Sequence, residues 1–136
     1  MTPTAVHLHQ QSRTLEIRFD DGSHFQLSAE YLRVHSPSAE VRGHGGGVPI
    51  LVYGKKAVGI NHIEAIGHYA LKIVFDDGHA TGLFTWPYLH ELGSQYENYW
   101  QAYLQRLANE QQSRETEVSP ALAASLPPGQ APYKEI

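Results

Sequence analysis

The sequence predicts an α+β domain: a mostly antiparallel β-sheet built from two related β-hairpin and helical-turn units, with a C-terminal helix packed against it. Three observations carry that reading. First, Leu15-Glu16-Ile17-Arg18-Phe19-Asp20-Asp21-Gly22 recurs as Leu71-Lys72-Ile73-Val74-Phe75-Asp76-Asp77-Gly78, an offset of 56 residues. Second, each copy alternates with period two, which belongs to strands. Third, beyond Gly93 the apolar spacing changes to that of a helix. Two copies of a short unit imply a pseudo-symmetric fold, because a solenoid needs more repeats to bury its core.

Taken in order, Val6-His7-Leu8 leads a first strand toward Leu15. Leu15, Ile17 and Phe19 then share one sheet face, and Asp21-Gly22 lets the chain reverse, since glycine tolerates positive φ. His24 to Leu27 returns, and Ser28 is placed to cap a helical turn carrying Tyr31-Leu32. Pro49 to Val52 is a short apolar run, and Ile60 to Ile66 predicts a strand before Tyr69 to Phe75, with Gly67-His68 as the turn or bulge. In the second unit His79 to Phe84 is the returning strand. Leu83 matches Leu27 and, after one inserted residue, Tyr88-Leu89 match Tyr31-Leu32. Thr85 takes the N-cap position, and Pro87 sits in the first turn, where no backbone donor is needed. Gly93 reads as a helix stop, followed by the capping-box pattern Ser94-Gln95-Tyr96-Glu97. Tyr96, Tyr99, Trp100, Tyr103, Leu104 and Leu107 then form one apolar, aromatic helix face, read as core or, in an exposed subset, as a dimer or partner surface. From Gln111 the chain turns polar and then Pro-rich. The predicted organisation is a domain over 1–110 and a flexible polar, Pro-rich tail over 111–136.

The 136 residues make about one domain, and 41% hydrophobic against 18% charged is enough to bury a core. A net charge of −4 argues against a broad phosphate-binding surface, so no nucleic-acid partner is expected. The absence of Cys excludes disulfides, a thiolate nucleophile, Cys-based zinc sites and iron–sulfur ligation. Met1 to His7 has neither a basic start nor an apolar run, and nowhere do 18 apolar residues follow one another. A cytoplasmic protein without a membrane partner is the expectation.

The segment from Leu32 to Gly47 is the least explained by packing. Gly43, Gly45, Gly46 and Gly47 add backbone freedom that opposes order. The segment reads either as a flexible connection or as a ligand or partner loop, with Arg33 or Arg42 supplying charge; no Gly-Lys-Ser/Thr follows, so it is not a P-loop. Among nine His, those at 24, 35, 44 and 79 fall near turns or loops, yet no helical His-x₃-His pair accompanies them. His62-Ile63-Glu64 has the start of a two-His, one-carboxylate iron triad, with His79 or His90 as nominal third ligand, but an exposed strand face accounts for it. The paired acids at 20–21 and 76–77 are turn chemistry, and no Gly-x-Ser-x-Gly elbow is present.

Three stretches carry a resemblance: Leu32 to Gly45, Ile63 to Leu71, and Val74 to Leu89 with its Asp76-Asp77-Gly78-His79 and Phe84-Thr85-Trp86-Pro87-Tyr88-Leu89. Over residues 5–95 the chain resembles the stand-alone bacterial proteins of the domain of unknown function 971, which are similar to the N-terminal domain of gamma-butyrobetaine hydroxylase. In the eukaryotic hydroxylases that domain precedes an iron- and 2-oxoglutarate-dependent catalytic domain, and three Cys from the loop with one His from the second hairpin hold zinc. His79 occupies the position resembling that His, whereas the loop offers Ser36-Pro37-Ser38-Ala39. The resemblance therefore implies the scaffold without the zinc site, and without hydroxylase activity, since too few residues remain after Leu92 for a catalytic domain. Some bacterial relatives are associated with iron–sulfur assembly proteins, which implies an interaction role.

The resulting expectation is a non-enzymatic binding or adaptor module for an unknown protein partner, needing no cofactor. Its candidate partner-binding residues are Arg33, His35, Arg42, His44 and Trp86. The alternative is a metal-binding accessory domain linked to iron–sulfur assembly, holding zinc or iron with His35, His44 and His79.

Overall fold

A computed structural model of the protein describes residues 1–37 and 50–115. The first unit contains β1 (Pro3–His9), β2 (Thr14–Phe19), β3 (His24–Ser28) and α1 (Ala29–Val34); the second contains β4 (Ile60–Ile66), β5 (Ala70–Phe75), β6 (Leu83–Thr85) and α2 (Trp86–Ser94). A third helix, α3 (Tyr96–Asn109), follows. The strands form two three-stranded antiparallel sheets, ordered β1-β2-β3 and β4-β5-β6.

The duplication holds at the level of single hydrogen bonds. Phe19 N donates to Ser23 O at 2.9 Å, and Phe75 N to His79 O at 3.0 Å. Asp21 Oδ1 accepts from Ser23 N and Asp77 Oδ1 from His79 N, fixing both reversals as Asx turns. Gly22 and Gly78 stand at φ +87° and +92°, a region side chains avoid. A bulge recurs in both first strands, between Pro3 and Ala5 and between Ile60 and His62. Ser28 and Thr85 cap α1 and α2, accepting from Tyr31 N and Tyr88 N.

The insertion lies earlier than the sequence match placed it. Leu15 pairs with Leu27, and its counterpart Leu71 pairs with Phe84, not with Leu83. A strand alternates faces at every residue, so this one-residue displacement decides burial. Phe84 is fully buried and Leu83 is 40% exposed. The extra residue thus sits between the turn at Gly78 and β6, which is why that returning strand is only three residues long.

Leu15, Ile17, Phe19 and their counterparts Leu71, Ile73, Phe75 pack with Leu27, Phe84, Leu32 and Leu89 into one core. The two units interlock across it. Tyr31 Oη donates to Leu92 O at 2.7 Å, and Tyr88 Oη to His35 O at 2.6 Å. Arg33 Nε meets Asp77 Oδ2 at 2.8 Å, and His90 Nε2 meets Asp21 Oδ2 at 2.9 Å. Tyr31 and Tyr88 are repeat equivalents, as are Arg33 and His90, and His35 and Leu92. Each unit's helix therefore binds the other unit in the same way.

Two helix boundaries differ from expectation. Helix α2 runs through Gly93 to Ser94, and the glycine serves packing instead of a stop: the Phe25 ring fills the space a side chain at 93 would need, and a Cβ there would lie 2.3 Å from Phe25 Cγ. Ser94 Oγ donates back to Glu91 O, and α3 has Gln95 at its N-cap with no side-chain cap, so the capping-box pattern is not used as one. Past α3, Gly54 N donates to Ser113 O and Lys56 N to Arg114 O. Arg114 makes two bonds, 2.8 and 2.7 Å, to the buried Glu30 carboxylate and lies over the Trp100 ring. Residues 111–115 are thus docked on the domain, beyond the expected boundary at 110. Among the described residues, no helix is long and apolar enough to cross a membrane.

Candidate functional site

The site is built where α1 ends. The helix closes at His35, whose ring rests on Tyr31 (centroids 4.6 Å apart) and stacks on Tyr99 at 6.0 Å. His35 Nδ1 lies 2.8 Å from Tyr31 O, so Nδ1 carries the proton of that bond. Beside it opens a cavity of about 350 Å³. One wall is Val34, His35 and Ser36; Tyr88 and Glu91 of α2 and Tyr99, Ala102, Tyr103 and Arg106 of α3 form the others, with Ile50, Leu51 and Val52 closing it.

Its polar groups are pinned by the scaffold. Tyr103 Oη donates to Val52 O at 2.7 Å, which ties α3 to the segment over the cavity. Burial, and after it the nearby Glu30 carboxylate, pushes the Tyr103 phenol up to about 12, so it stays a donor. Tyr99 Oη donates to Glu91 at the rim, while Arg106 is held by Glu110 one turn on. Ile50 is 54% exposed at the edge, apolar surface that the described residues do not cover. The combination of fixed aromatic walls, a few polar groups and an apolar rim suits binding.

Behind this wall, Ser36 is buried and its Oγ lies 2.9 Å from Nε2 of the buried His79. Gly82 permits the contact, since a Cβ there would stand 2.2 Å from Ser36 Oγ. His79 and the start of the loop do converge, as the resemblance implies, but one imidazole and one hydroxyl in a chain without Cys do not make a three-Cys, one-His zinc set.

The sequence-predicted residues separate. His35 lines the cavity. Arg33 is turned into the fold, where Asp77 receives both Arg33 Nε and Lys55 Nζ, the latter at 2.7 Å. Burial would raise the Asp77 carboxyl, but Lys55, the His79 N–H and Arg33 outweigh it and hold it at about 2. Trp86 donates from Nε1 to His68 O at 2.8 Å and packs on the core, a structural role away from the cavity lining. Arg42 and His44 lie outside the described residues, so of the metal alternative only His35 and His79 are placed. His62 and Glu64 are exposed neighbours on β4, 3.8 Å apart. Sequence reasoning missed Glu91, Tyr99, Tyr103 and Arg106. The signal was present in the aromatic face of α3, whose exposed subset reads as a dimer or partner surface, but which residues make up that subset depends on the position of the 50–52 segment.

The comparisons with known proteins agree with this architecture. The sequence model of the family described as gamma-butyrobetaine hydroxylase-like, N-terminal, matches residues 6–90. The chain belongs to that family. Two NMR solution structures are similar to this gamma-butyrobetaine hydroxylase-like N-terminal domain. The first shares 50% identity with a TM-score of 0.75, covering 88% of this chain and 94% of that one. The second shares 51% with a TM-score of 0.73, covering 88% and 89%. A crystal structure of a DUF971-family protein of unknown function from Acidithiobacillus ferrooxidans shares 36% with a TM-score of 0.57, covering 67% and 91%. No curated protein matches the chain.

Proposed function

We propose that this family member is a non-enzymatic, cytoplasmic binding module that holds a protein partner at the cavity beside His35. The observation that carries the proposal is the lining itself. Three Tyr and one His, fixed by hydrogen bonds to backbone or carboxylate, present aromatic surface next to the Ile50 side chain, which the described residues leave exposed. Rigid aromatic groups beside apolar surface supply contact area at small entropic cost, which is the composition of interaction hot spots. The adjoining Gly-rich segment supplies the remaining contacts in this reading, with Arg42 and His44 as its charged and hydrogen-bonding groups. Arg33 and Trp86 act indirectly, by holding α1 and the second hairpin in place.

Affinity capture from native cells tests this with two variants. Ala102→Trp fills the cavity from an exposed helix position, and replacement of 42–47 by a neutral linker removes the loop contacts. The expected outcome is a partner captured by the wild-type protein and lost with both variants, while their unfolding midpoints stay close to wild type. Identical partner lists for all three proteins would overturn the proposal.

A further inference from the structure

We infer that the outer face of the first sheet carries a site for a divalent transition-metal ion, built from His9, Glu16 and His24 with His7 as a fourth donor. Strand geometry assembles it. His7 and His9 are two residues apart on β1 and share a face, and register places His7 opposite Glu16 of β2. Glu16 lies on the central strand, between β1 and β3. Its Oε1 is 2.8 Å from His9 Nε2, and its Oε2 meets His24 Nε2 from the other side. Two imidazoles on one carboxylate, with a third imidazole adjacent, are the borderline donors that zinc, nickel and copper(II) prefer.

The two imidazoles sit on opposite oxygens of the Glu16 carboxylate, and among the described residues no three His, Asp or Glu side chains stand as a preformed metal site, so the rings must turn to converge on an ion. The ionised carboxylate only accepts, so both Nε2 atoms carry the proton. To bind a metal ion each imidazole must present Nε2 without its proton, which a neutral ring does by carrying the proton on Nδ1. The rings are 45% and 38% exposed, so they can turn onto an ion without disturbing the core. Arg18 opposes binding: its Nη2 lies 3.5 Å from Glu16 Oε2, although at 56% exposure it can swing into solvent.

The test is calorimetric titration of Zn²⁺ into the full-length, untagged protein at neutral pH, paired with NMR of the histidine rings. One saturable micromolar site is expected, with the His9 and His24 resonances shifting together. His9→Ala, His24→Ala and Glu16→Gln should each weaken binding by about tenfold or more, Arg18→Gln should tighten it, and His79→Ala should leave it unchanged. All five positions except His79 are on the sheet's outer face, so loss of fold does not confuse the result. Absence of saturable binding at micromolar zinc would overturn the inference. So would binding that survives the double variant His9→Ala, His24→Ala, including binding abolished only by His79→Ala.

Discussion

At the scale of single residues, the two turn aspartates show how one local motif is put to different uses. Asp21 and Asp77 make the same backbone bond within their turns, but Asp77 also receives Arg33 and Lys55 in a less exposed place. A folded carboxyl held at about 2 has a depressed pKa, so its stabilisation is complete above the unfolded value of about 4 and is lost as pH falls toward 2. Asp77→Asn is therefore expected to be less stable than wild type at pH 7, with the gap narrowing between pH of about 4 and about 2. Urea unfolding across that range checks it; a gap independent of pH would refute it. The Asp-Gly turns were legible in the sequence because their chemistry is local. The ion pairs were not, because nothing near Asp77 in the chain announces Arg33, 44 residues away.

At the scale of elements, alternation identified β2 and β5, and helical spacing identified α3, since each depends only on which positions face inward. Boundaries set by tertiary contact were harder to read. Gly93 carries the signal of a stop, yet it lies inside α2, where glycine makes room for the Phe25 ring of β3. Gly93→Ala gains about 1 kcal/mol of helix propensity but forces the Phe25 ring aside, an overpacking cost of about 1–3 kcal/mol. A net loss is expected in a denaturant midpoint, and a raised midpoint would show that the ring gives way freely. The same limit hid half of the candidate site. Tyr99 and Tyr103 sit four residues apart on one helical face and read alike, but one is nearly buried under Val52 while the other faces the cavity rim. The histidine cluster on the first sheet needed the diagonal alignment of three strands, which periodicity alone does not supply.

At the scale of the whole molecule, the repeat was legible but the way its copies embrace was not. Tyr31→Phe and Tyr88→Phe each strip the hydroxyl from a carbonyl of the opposite unit, with an expected cost of about 1–3 kcal/mol, larger for Tyr31 because it is fully buried. If the units stand or fall together, hydrogen exchange in Tyr31→Phe should quicken in β5 as well as β2; quickening confined to one sheet would mean that each unit opens alone. Contacts that exchange places under a half-turn are the kind two identical subunits make. Here both participants are on one polypeptide, so their encounter is governed by tether length and not by how much protein is in solution. The pairing therefore survives any dilution, a benefit that duplication and fusion confer on an association that would otherwise have to be re-established molecule by molecule.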